Sequence, residues 1–275
     1  MHMKKILSII FLLEVFNFCK AATVDTILIY SNAMHKEFKC VVIKPDSYKK
    51  RNVSFPVVYL LHGAGGDFSN WIKKVPAIKN YADEYKLLII CPDGSNYSWY
   101  LDSPIDSSMR YETYIGIEVP AYIDAHYSTI KDRRRRAIAG LSMGGHGALF
   151  LAFRHAGFFG ACGSMSGVVD LNSSRNKYEL TKRLGDTVRN TENWKKLSVI
   201  NVIEEQPKDT LAIIFDCGID DPFYPYNKKL HEKMLNLKIA HDYIERPGNH
   251  NWNYWANALE YQLLFFRNYF QKSMK

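Results

Sequence analysis

The pentapeptide GLSMG at residues 140–144 has the pattern G-x-S-x-G and lies where a strand pattern changes to a helix pattern. The apolar residues before it, 136–140, are typical of a buried strand, and residues 145–154 are typical of a helix packed on a sheet. A tight turn between such elements leaves the Ser142 hydroxyl exposed in a strained corner, and the flanking glycines remove Cβ atoms that would clash there. The pentapeptide alone could be an ordinary glycine-rich turn. With these flanks it predicts a nucleophilic serine.

The first 21 residues have the pattern of a secretory signal peptide. Two lysines near the start precede an apolar run, residues 6–13, that is too short to span a bilayer, and residues 19–21 place small side chains at positions −3 and −1 of a cleavage site. We expect cleavage near Ala21, a secreted or periplasmic protein, and no stable membrane insertion afterwards. An uncleaved anchor stays open, as does a lipoprotein attached through Cys19, although the bulky Phe18 disfavours the latter.

The rest of the chain, residues 22–275, is expected to form one α/β domain. The sequence has 275 residues and is 47% hydrophobic, which is enough to bury a substantial core. Loss of the leader removes three lysines and one glutamate, so the formal net charge falls from +8 to +6. The one dense cationic run, Arg133–Arg136, is expected to be exposed to solvent at the start of a strand. No aromatic residues alternate with it, and no nucleic-acid partner is predicted.

The cysteines indicate neither a metal site nor a redox pair. No C-x-x-C motif is present, so buried free thiols are expected, with one disulfide left open if the compartment is oxidising. No metal and no cofactor are predicted. The four cysteines beyond the leader are Cys40, Cys91, Cys162 and Cys217.

Strand and helix patterns alternate along the chain, which favours an α/β fold with a mostly parallel, doubly wound sheet and helices on both faces. Helices are predicted at 75–85 and 109–126, and the polar residues 171–207 read as an insertion beside the active site. The continuous apolar run at 56–62 is typical of a strand buried on both faces. Strands are predicted at 24–30, 37–43, 56–62, 87–91, 138–141, 159–164, 210–215 and 240–245.

A nucleophilic serine needs a base, and the base needs a carboxylate that orients it. Candidates follow in the chain order Ser, Asp, His. Asp220 and Asp221 lie in the loop after one predicted strand, and His250 lies in the loop after the next. We favour Asp221 over Asp220 as the acid and His250 as the base, while Asp216 at the strand end is expected to brace the loop.

An oxyanion intermediate requires backbone N–H groups directed at the developing negative charge. One is expected from Met143, which follows the nucleophile and opens a helix. The other is expected from Ala64 in the glycine-rich loop 62–66, where the missing side chains allow the backbone to approach a substrate oxygen.

Together these motifs resemble the esterase D family of α/β-hydrolases, which includes S-formylglutathione hydrolases, feruloyl and acetylxylan esterases and trehalose mycolyltransferases. The resemblance implies an α/β-hydrolase fold with nucleophile, acid and base on Ser142, Asp221 and His250. It also implies oxyanion amides on Ala64 and Met143. The resembling segments, spread over residues 24 to 270, are 60–66, 98–104, 140–145, 218–221 and 247–252.

Two departures from the family pattern are mild, because neither touches the chemistry. Asn249 stands where a glycine is frequent, and Ile219 stands where a threonine is frequent.

The resemblance implies a serine carboxylesterase that forms an acyl-enzyme. A signal peptide argues for carbohydrate-linked acyl or feruloyl esters, small or polymeric, as substrates. An acyltransferase of the mycolyltransferase type and a thioesterase like S-formylglutathione hydrolase are the alternatives. Aromatic residues near the motifs are candidates for stacking on a sugar or aryl group, although they could equally be core residues. They are Trp71, Trp99 and Trp252, with Tyr100 and Tyr254 beside them.

Overall fold

The computed structural model describes residues 21–50, 52–205 and 210–272, which are built around one eight-stranded sheet. Its strand order is β1-β2-β4-β3-β5-β6-β7-β8. The pairs β1–β2 and β2–β4 are antiparallel, whereas β4 and all later pairs in this order are parallel. The strands are β1 (Thr23–Ser31), β2 (Lys36–Lys44), β3 (Val57–Leu61), β4 (Leu88–Pro92), β5 (Arg136–Leu141), β6 (Ala161–Met165), β7 (Ala212–Gly218) and β8 (Asp242–Arg246).

From β3 onward, each strand is followed by one or more helices, and these lie on both faces of the sheet. A π-helical turn, Tyr114–Glu118, joins α3 to α4, so residues 111–126 are continuously helical, close to the predicted 109–126. The α-helices are α1 (Asn70–Lys74), α2 (Ile78–Tyr85), α3 (Tyr111–Thr113), α4 (Val119–His126), α5 (Met143–Arg154), α6 (Leu180–Leu184), α7 (Thr191–Leu197), α8 (Val199–Val202), α9 (Tyr224–Asn236) and α10 (Trp252–Lys272). Short 3₁₀ turns occupy Asp46–Lys49, Arg133–Arg135, Leu171–Ser174 and Ile203–Glu205.

Alternate residues of the central strands belong to two separate cores. Tyr59 of β3 packs in one cluster with residues of α4, α5 and α9, whereas Leu60 packs in a second cluster with residues of α1, α2 and α10. Since successive side chains of a strand point to opposite faces, a strand covered on both sides must be apolar throughout. The mostly parallel α/β sheet predicted from the apolar runs is confirmed.

The helix predicted at 75–85 begins three residues later, at Ile78. Val75 precedes Pro76 and has φ −128° and ψ 74°, outside the helical region. The proline ring clashes with a helical conformation of the residue before it, so α1 ends and α2 starts on either side of this point.

The cationic run at 133–136 is solvated only in part: Arg134 is exposed, whereas the expectation is wrong for Arg133 and Arg136. Arg136 is buried and forms an ion pair with Asp124. Arg133 donates to the carbonyl oxygens of Ala156 and Phe159, at 2.7 and 3.0 Å. The Arg133 guanidinium satisfies these two carbonyls, because a planar group with several donors can serve more than one acceptor.

The predicted signal peptide lies outside the described residues, apart from Ala21, and stays a prediction. Within the described ranges, no helix is both long enough and apolar enough to cross a membrane. The expectation of buried free thiols is confirmed for Cys40, Cys91, Cys162 and Cys217.

Candidate active site

Ser142 lies in the sharp turn between β5 and α5. Its backbone has φ 53° and ψ −116°, a conformation that a residue with a side chain rarely adopts. The two flanking glycines allow this turn. A Cβ on Gly140 would lie 2.3 Å from the carbonyl oxygen of Gly144, and one on Gly144 would lie 2.5 Å from the carbonyl oxygen of Leu61. The turn therefore presents the serine hydroxyl beyond the end of the sheet.

The structure brings Ser142, His250 and Asp221 into one hydrogen-bonded row. His250 Nε2 lies 2.9 Å from Ser142 Oγ, and His250 Nδ1 lies 2.8 Å from Asp221 Oδ2. With the ring proton on Nδ1, the imidazole donates to the carboxylate and accepts from the serine hydroxyl. Such a row can remove the serine proton during attack on a carbonyl carbon.

The two adjacent aspartates have different environments. Asp221 is buried, and its second carboxylate oxygen accepts the N–H of Phe223 at 2.8 Å. Asp220 is exposed, and its N–H donates to the carbonyl of Gly248 at 3.1 Å. Of these two candidates, the structure brings only Asp221 to His250.

Aromatic rings hold the imidazole of His250 from two sides. The ring of Phe223 lies 5.0 Å from it between centroids, and the ring of Trp255 lies 4.8 Å away at an interplanar angle of 90°. Edge-to-face packing of this kind limits rotation of the imidazole. The ring therefore stays oriented between the serine and the carboxylate.

Asp216 lies on β7 just before the acid loop, and its side chain contacts α10 and β8. Its carboxylate is fully buried, accepts the side-chain N–H of Gln262 at 2.7 Å and lies 3.4 Å from the guanidinium of Arg246. Burial raises the pKa of Asp216 to about 6, while Gln262 and Arg246 oppose that rise. Neither Gln262 nor Arg246 was expected here from the sequence.

Two further histidines support the site without joining the triad. His62 Nδ1–H donates to the carbonyl of Gly63 at 2.8 Å, and its Nε2 accepts the N–H of Gly94 at 2.8 Å. Burial lowers the pKa of His62, which suits the neutral ring that this pairing requires. His146 on α5 is a buried, hydrogen-bonded residue. Its Nε2–H donates to the carbonyl of Leu197 at 2.9 Å, and burial lowers its pKa to about 4.

The glycine-rich loop and the start of α5 meet at the serine. Gly63 and Ala64 line the same cleft as Ser142, and Met143 is the first residue of α5. As the first residue of α5, Met143 has no acceptor for its N–H within the helix. Among the described residues, no backbone carbonyl outside the helices and strands accepts the N–H of Ala64 or Met143. Both expected oxyanion donors are therefore free for a ligand oxygen.

Of the three tryptophans predicted to bind substrate, the structure places only Trp252 in the cleft wall. Trp71 is buried, donates to the carbonyl of Leu61 at 3.2 Å and packs edge-on against Trp252. Trp99 is also buried and donates to the carbonyl of Tyr178 at 2.9 Å. The expectation that Trp71 and Trp99 stack on substrate is wrong, because both indoles are enclosed by protein.

Tyr100 and Tyr254 are buried as well. Sequence reasoning missed three residues that do line the cleft: Asn70, Tyr178 and Trp255. Trp255 stands one helical turn after Trp252, so helical spacing was a signal for it. Tyr178 belongs to the segment 171–207 that was predicted to lie beside the active site, but nothing in the sequence singled out this residue within it. The cleft around Ser142 has a volume of about 150 Å³.

Among residues 21–50, 52–205 and 210–272, no three His, Cys, Asp or Glu side chains form an arrangement that could hold a metal ion.

Comparison with known proteins gives one family match that covers most of the chain. The family described as "Putative esterase" matches residues 31–266. A solved structure of a ferulic acid esterase has a TM-score of 0.78 at 28% sequence identity, and the match covers 90% of this chain and 98% of that one. The α/β-hydrolase fold implied by the resemblance is confirmed.

Two curated relatives carry esterase names. Esterase MT1326 of Mycobacterium tuberculosis is 26% identical over 238 residues, 76% of this chain and 51% of that protein, so this chain spans about half of its length. The acetyl esterase of Caldicellulosiruptor saccharolyticus is 26% identical over 255 residues, 84% of this chain and 95% of that protein.

Proposed function

Because this chain belongs to the Putative esterase family, we propose that it is a secreted serine carboxylesterase that cleaves acyl or feruloyl esters, carbohydrate-linked ones in particular, through an acyl-enzyme. One observation carries the mechanism: His250 lies 2.9 Å from Ser142 Oγ and 2.8 Å from Asp221. The esterase names of the two relatives and the ferulic acid esterase fold support the reaction class.

In the acylation step, Ser142 Oγ attacks the ester carbonyl carbon while its proton moves to His250 Nε2. Asp221 holds Nδ1–H and stabilises the resulting imidazolium. The N–H groups of Ala64 and Met143 receive the oxyanion. When the tetrahedral intermediate collapses, the C–O bond to the alcohol breaks, and the alcohol oxygen takes the proton from Nε2.

In the deacylation step, water takes the place of the departed alcohol. His250 removes a proton from the water as its oxygen attacks the acyl carbon. Collapse of the second intermediate returns that proton to Ser142 Oγ and releases the carboxylic acid. The Ala64 and Met143 amides serve both intermediates, because the oxyanion forms at the same place each time.

Two features support extracellular, carbohydrate-linked substrates. The leader pattern of residues 1–21 directs export, and exported enzymes encounter polymers rather than cytosolic thioesters. Trp252 presents an aromatic surface beside Ser142, and such surfaces bind sugar and aryl rings by stacking.

The test is a substrate panel with the purified protein: p-nitrophenyl acyl esters, feruloyl esters, acetylated xylan and S-formylglutathione. Ser142→Ala should lose on the order of 10⁶-fold in kcat, as loss of a triad nucleophile does. A fluorophosphonate should label Ser142, and Ser108→Ala, which changes an exposed serine, should keep full activity. Labelling at another residue overturns the mechanism.

The same panel tests the proposed substrate class. Acyl transfer to an added alcohol in preference to water would indicate an acyltransferase. A preference for S-formylglutathione would indicate a thioesterase.

A further inference from the structure

We propose that Tyr178 sets the size of the acyl group that fits beside Ser142, so that the enzyme selects esters of short acyl groups such as acetyl. This inference rests on the serine esterase function proposed above. Tyr178 lines the same cleft as Ser142, His250 and Trp252. It is contributed by the segment between β6 and β7, which supplies no member of the triad.

The size of the cleft favours a short acyl group over an aryl one. Its volume is about 150 Å³. Pockets that enclose drug-sized ligands have volumes of at least about 300 Å³. An acetyl group fits within this volume beside the serine, whereas the aryl ring of a feruloyl group extends past it.

Tyr178 differs from the other aromatic walls in how it is packed. Trp252 rests edge-on against both Trp71 and Trp255, with ring centroids 5.3 and 5.5 Å apart, and Trp71 belongs to the core. Tyr178 is 44% exposed and lies on a loop, where its ring centroid is 6.3 Å from that of Tyr97 and 6.4 Å from that of Trp99. Its removal would therefore enlarge the cleft toward solvent without emptying the core.

The backbone of Tyr178 is held in an unusual conformation. Tyr178 and Glu179 have φ values of 53° and 54°, in the left-handed region that residues with side chains seldom enter. Such conformations persist where the surroundings impose them, and they concentrate at functional sites. Here the indole N–H of Trp99 donates to the Tyr178 carbonyl at 2.9 Å. Trp99 is itself buried and left-handed, with φ 58°.

A second set of contacts fixes the residue that follows. Glu179 lies 2.9 Å from the guanidinium of Arg183, which also pairs with Asp106 at 3.1 Å. The same guanidinium donates through Nε to the carbonyl of Tyr97 at 3.1 Å. The start of α6 is therefore tied to the loop that carries Trp99. Trp99 and Arg183 act as positioning residues for the Tyr178 ring.

The test compares kcat/KM for p-nitrophenyl hexanoate with that for p-nitrophenyl acetate. Tyr178→Ala should raise the hexanoate-to-acetate ratio by about 10-fold or more, since each methylene that a pocket accepts or rejects changes selectivity by about that factor. Tyr178→Phe keeps the ring and should leave the ratio within about 2-fold of the wild type. Tyr30→Ala, which removes a similarly exposed tyrosine from β1, is the matched control.

Two more variants keep the proposal testable if Tyr178→Ala folds poorly. Tyr178→Trp enlarges the wall and should lower the ratio. Trp99→Phe keeps a ring in the core but removes the N–H donor, so it should raise the ratio by a smaller factor than Tyr178→Ala. A fluorophosphonate that still labels Ser142 confirms that each variant has an intact site.

The inference is overturned if the ratio stays at the wild-type value in the Tyr178→Ala and Tyr178→Trp proteins while Ser142 is labelled. Full activity of Ser142→Ala would instead overturn the proposed function. The two failures are therefore distinct.

Discussion

A Cβ atom on Gly218 would lie 2.2 Å from the carbonyl oxygen of Gly248. Gly218 ends β7 and precedes the loop with Asp221, while Gly248 lies in the loop that carries His250. The two loops are also joined by hydrogen bonds from the N–H groups of Ile219 and Asp220. This close backbone approach keeps the Asp221 carboxylate within hydrogen-bonding distance of the His250 imidazole.

Gly218→Ala should separate the two loops, because no side chain fits in that space. A displacement of about 1 Å in a catalytic group can reduce the rate by about 100-fold, so kcat should fall by at least about 10-fold. Gly157→Ala is the matched control, since a Cβ there has no neighbour within 4 Å. The measurement is kcat with p-nitrophenyl acetate, together with Tm. Equal kcat values for Gly218→Ala and Gly157→Ala would contradict the inference that this close approach positions the triad.

Asp221→Asn should reduce kcat by about 10⁴-fold, because an amide favours the wrong tautomer of His250. Asp220→Asn should change kcat by less than about threefold, since its exposed side chain lies outside the triad and surface substitutions have small effects. Steady-state kinetics of the two isosteric variants make the comparison. A larger loss of kcat in Asp220→Asn than in Asp221→Asn would identify Asp220 as the triad acid.

Asp216 makes stability depend on pH in the acid range. Burial raises its pKa to about 6 in the folded chain, whereas an unfolded aspartate ionises near pH 3.9. At pH values between these two pKa values, the folded state keeps the proton on Asp216, whereas the unfolded state releases it. The contribution of the Asp216 carboxyl group to the free energy of unfolding is therefore complete below about pH 4. It falls by on the order of 3 kcal/mol as the pH rises to about 6.

Asp216→Asn removes this titration without changing the shape of the side chain. The free energy of unfolding of the wild type minus that of Asp216→Asn should therefore fall from pH 4 to pH 6 and stay level above pH 7. Urea unfolding across this range measures the difference. A constant difference would show that the carboxylate has the same pKa in both states.

Trp71 and Trp252 should respond to truncation in different ways, although their rings touch. Trp71→Ala removes a buried indole from the core and should lower the free energy of unfolding by about 3–5 kcal/mol. Trp252→Ala should mainly raise KM for feruloyl or xylan esters, since its ring faces the cleft. Urea unfolding and steady-state kinetics on both variants test this division. A KM change confined to Trp71→Ala would reverse the two roles.

The sheet and the order of the triad residues could be predicted because their signals are local. Continuous apolar runs mark strands buried on both faces, and the G-x-S-x-G turn marks the corner at Ser142. The later start of α2, which leaves residues 75–77 of the predicted helix outside the observed one, also has a local cause in Pro76.

Whether each tryptophan ring is buried or faces the cleft was not predictable, because helix and loop patterns do not indicate which distant residues pack around a ring. Trp99 and Trp252 both lie near family motifs, yet one is buried and the other faces the cleft. Arg133 and Arg136 were likewise expected to be solvated, since their partners, the carbonyls of Ala156 and Phe159 and the carboxylate of Asp124, are not their neighbours in sequence.

The sequence by itself determined which elements form and where the chemically active residues stand along them, since strand periodicity, turn residues and loop position are properties of neighbouring residues. Only the tertiary structure decided that Ser142 and His250, 108 residues apart, lie 2.9 Å from each other. It also decided that Tyr178 lines the cleft. Such distances depend on how the sheet twists and how loops pack on it, which involves the whole chain at once.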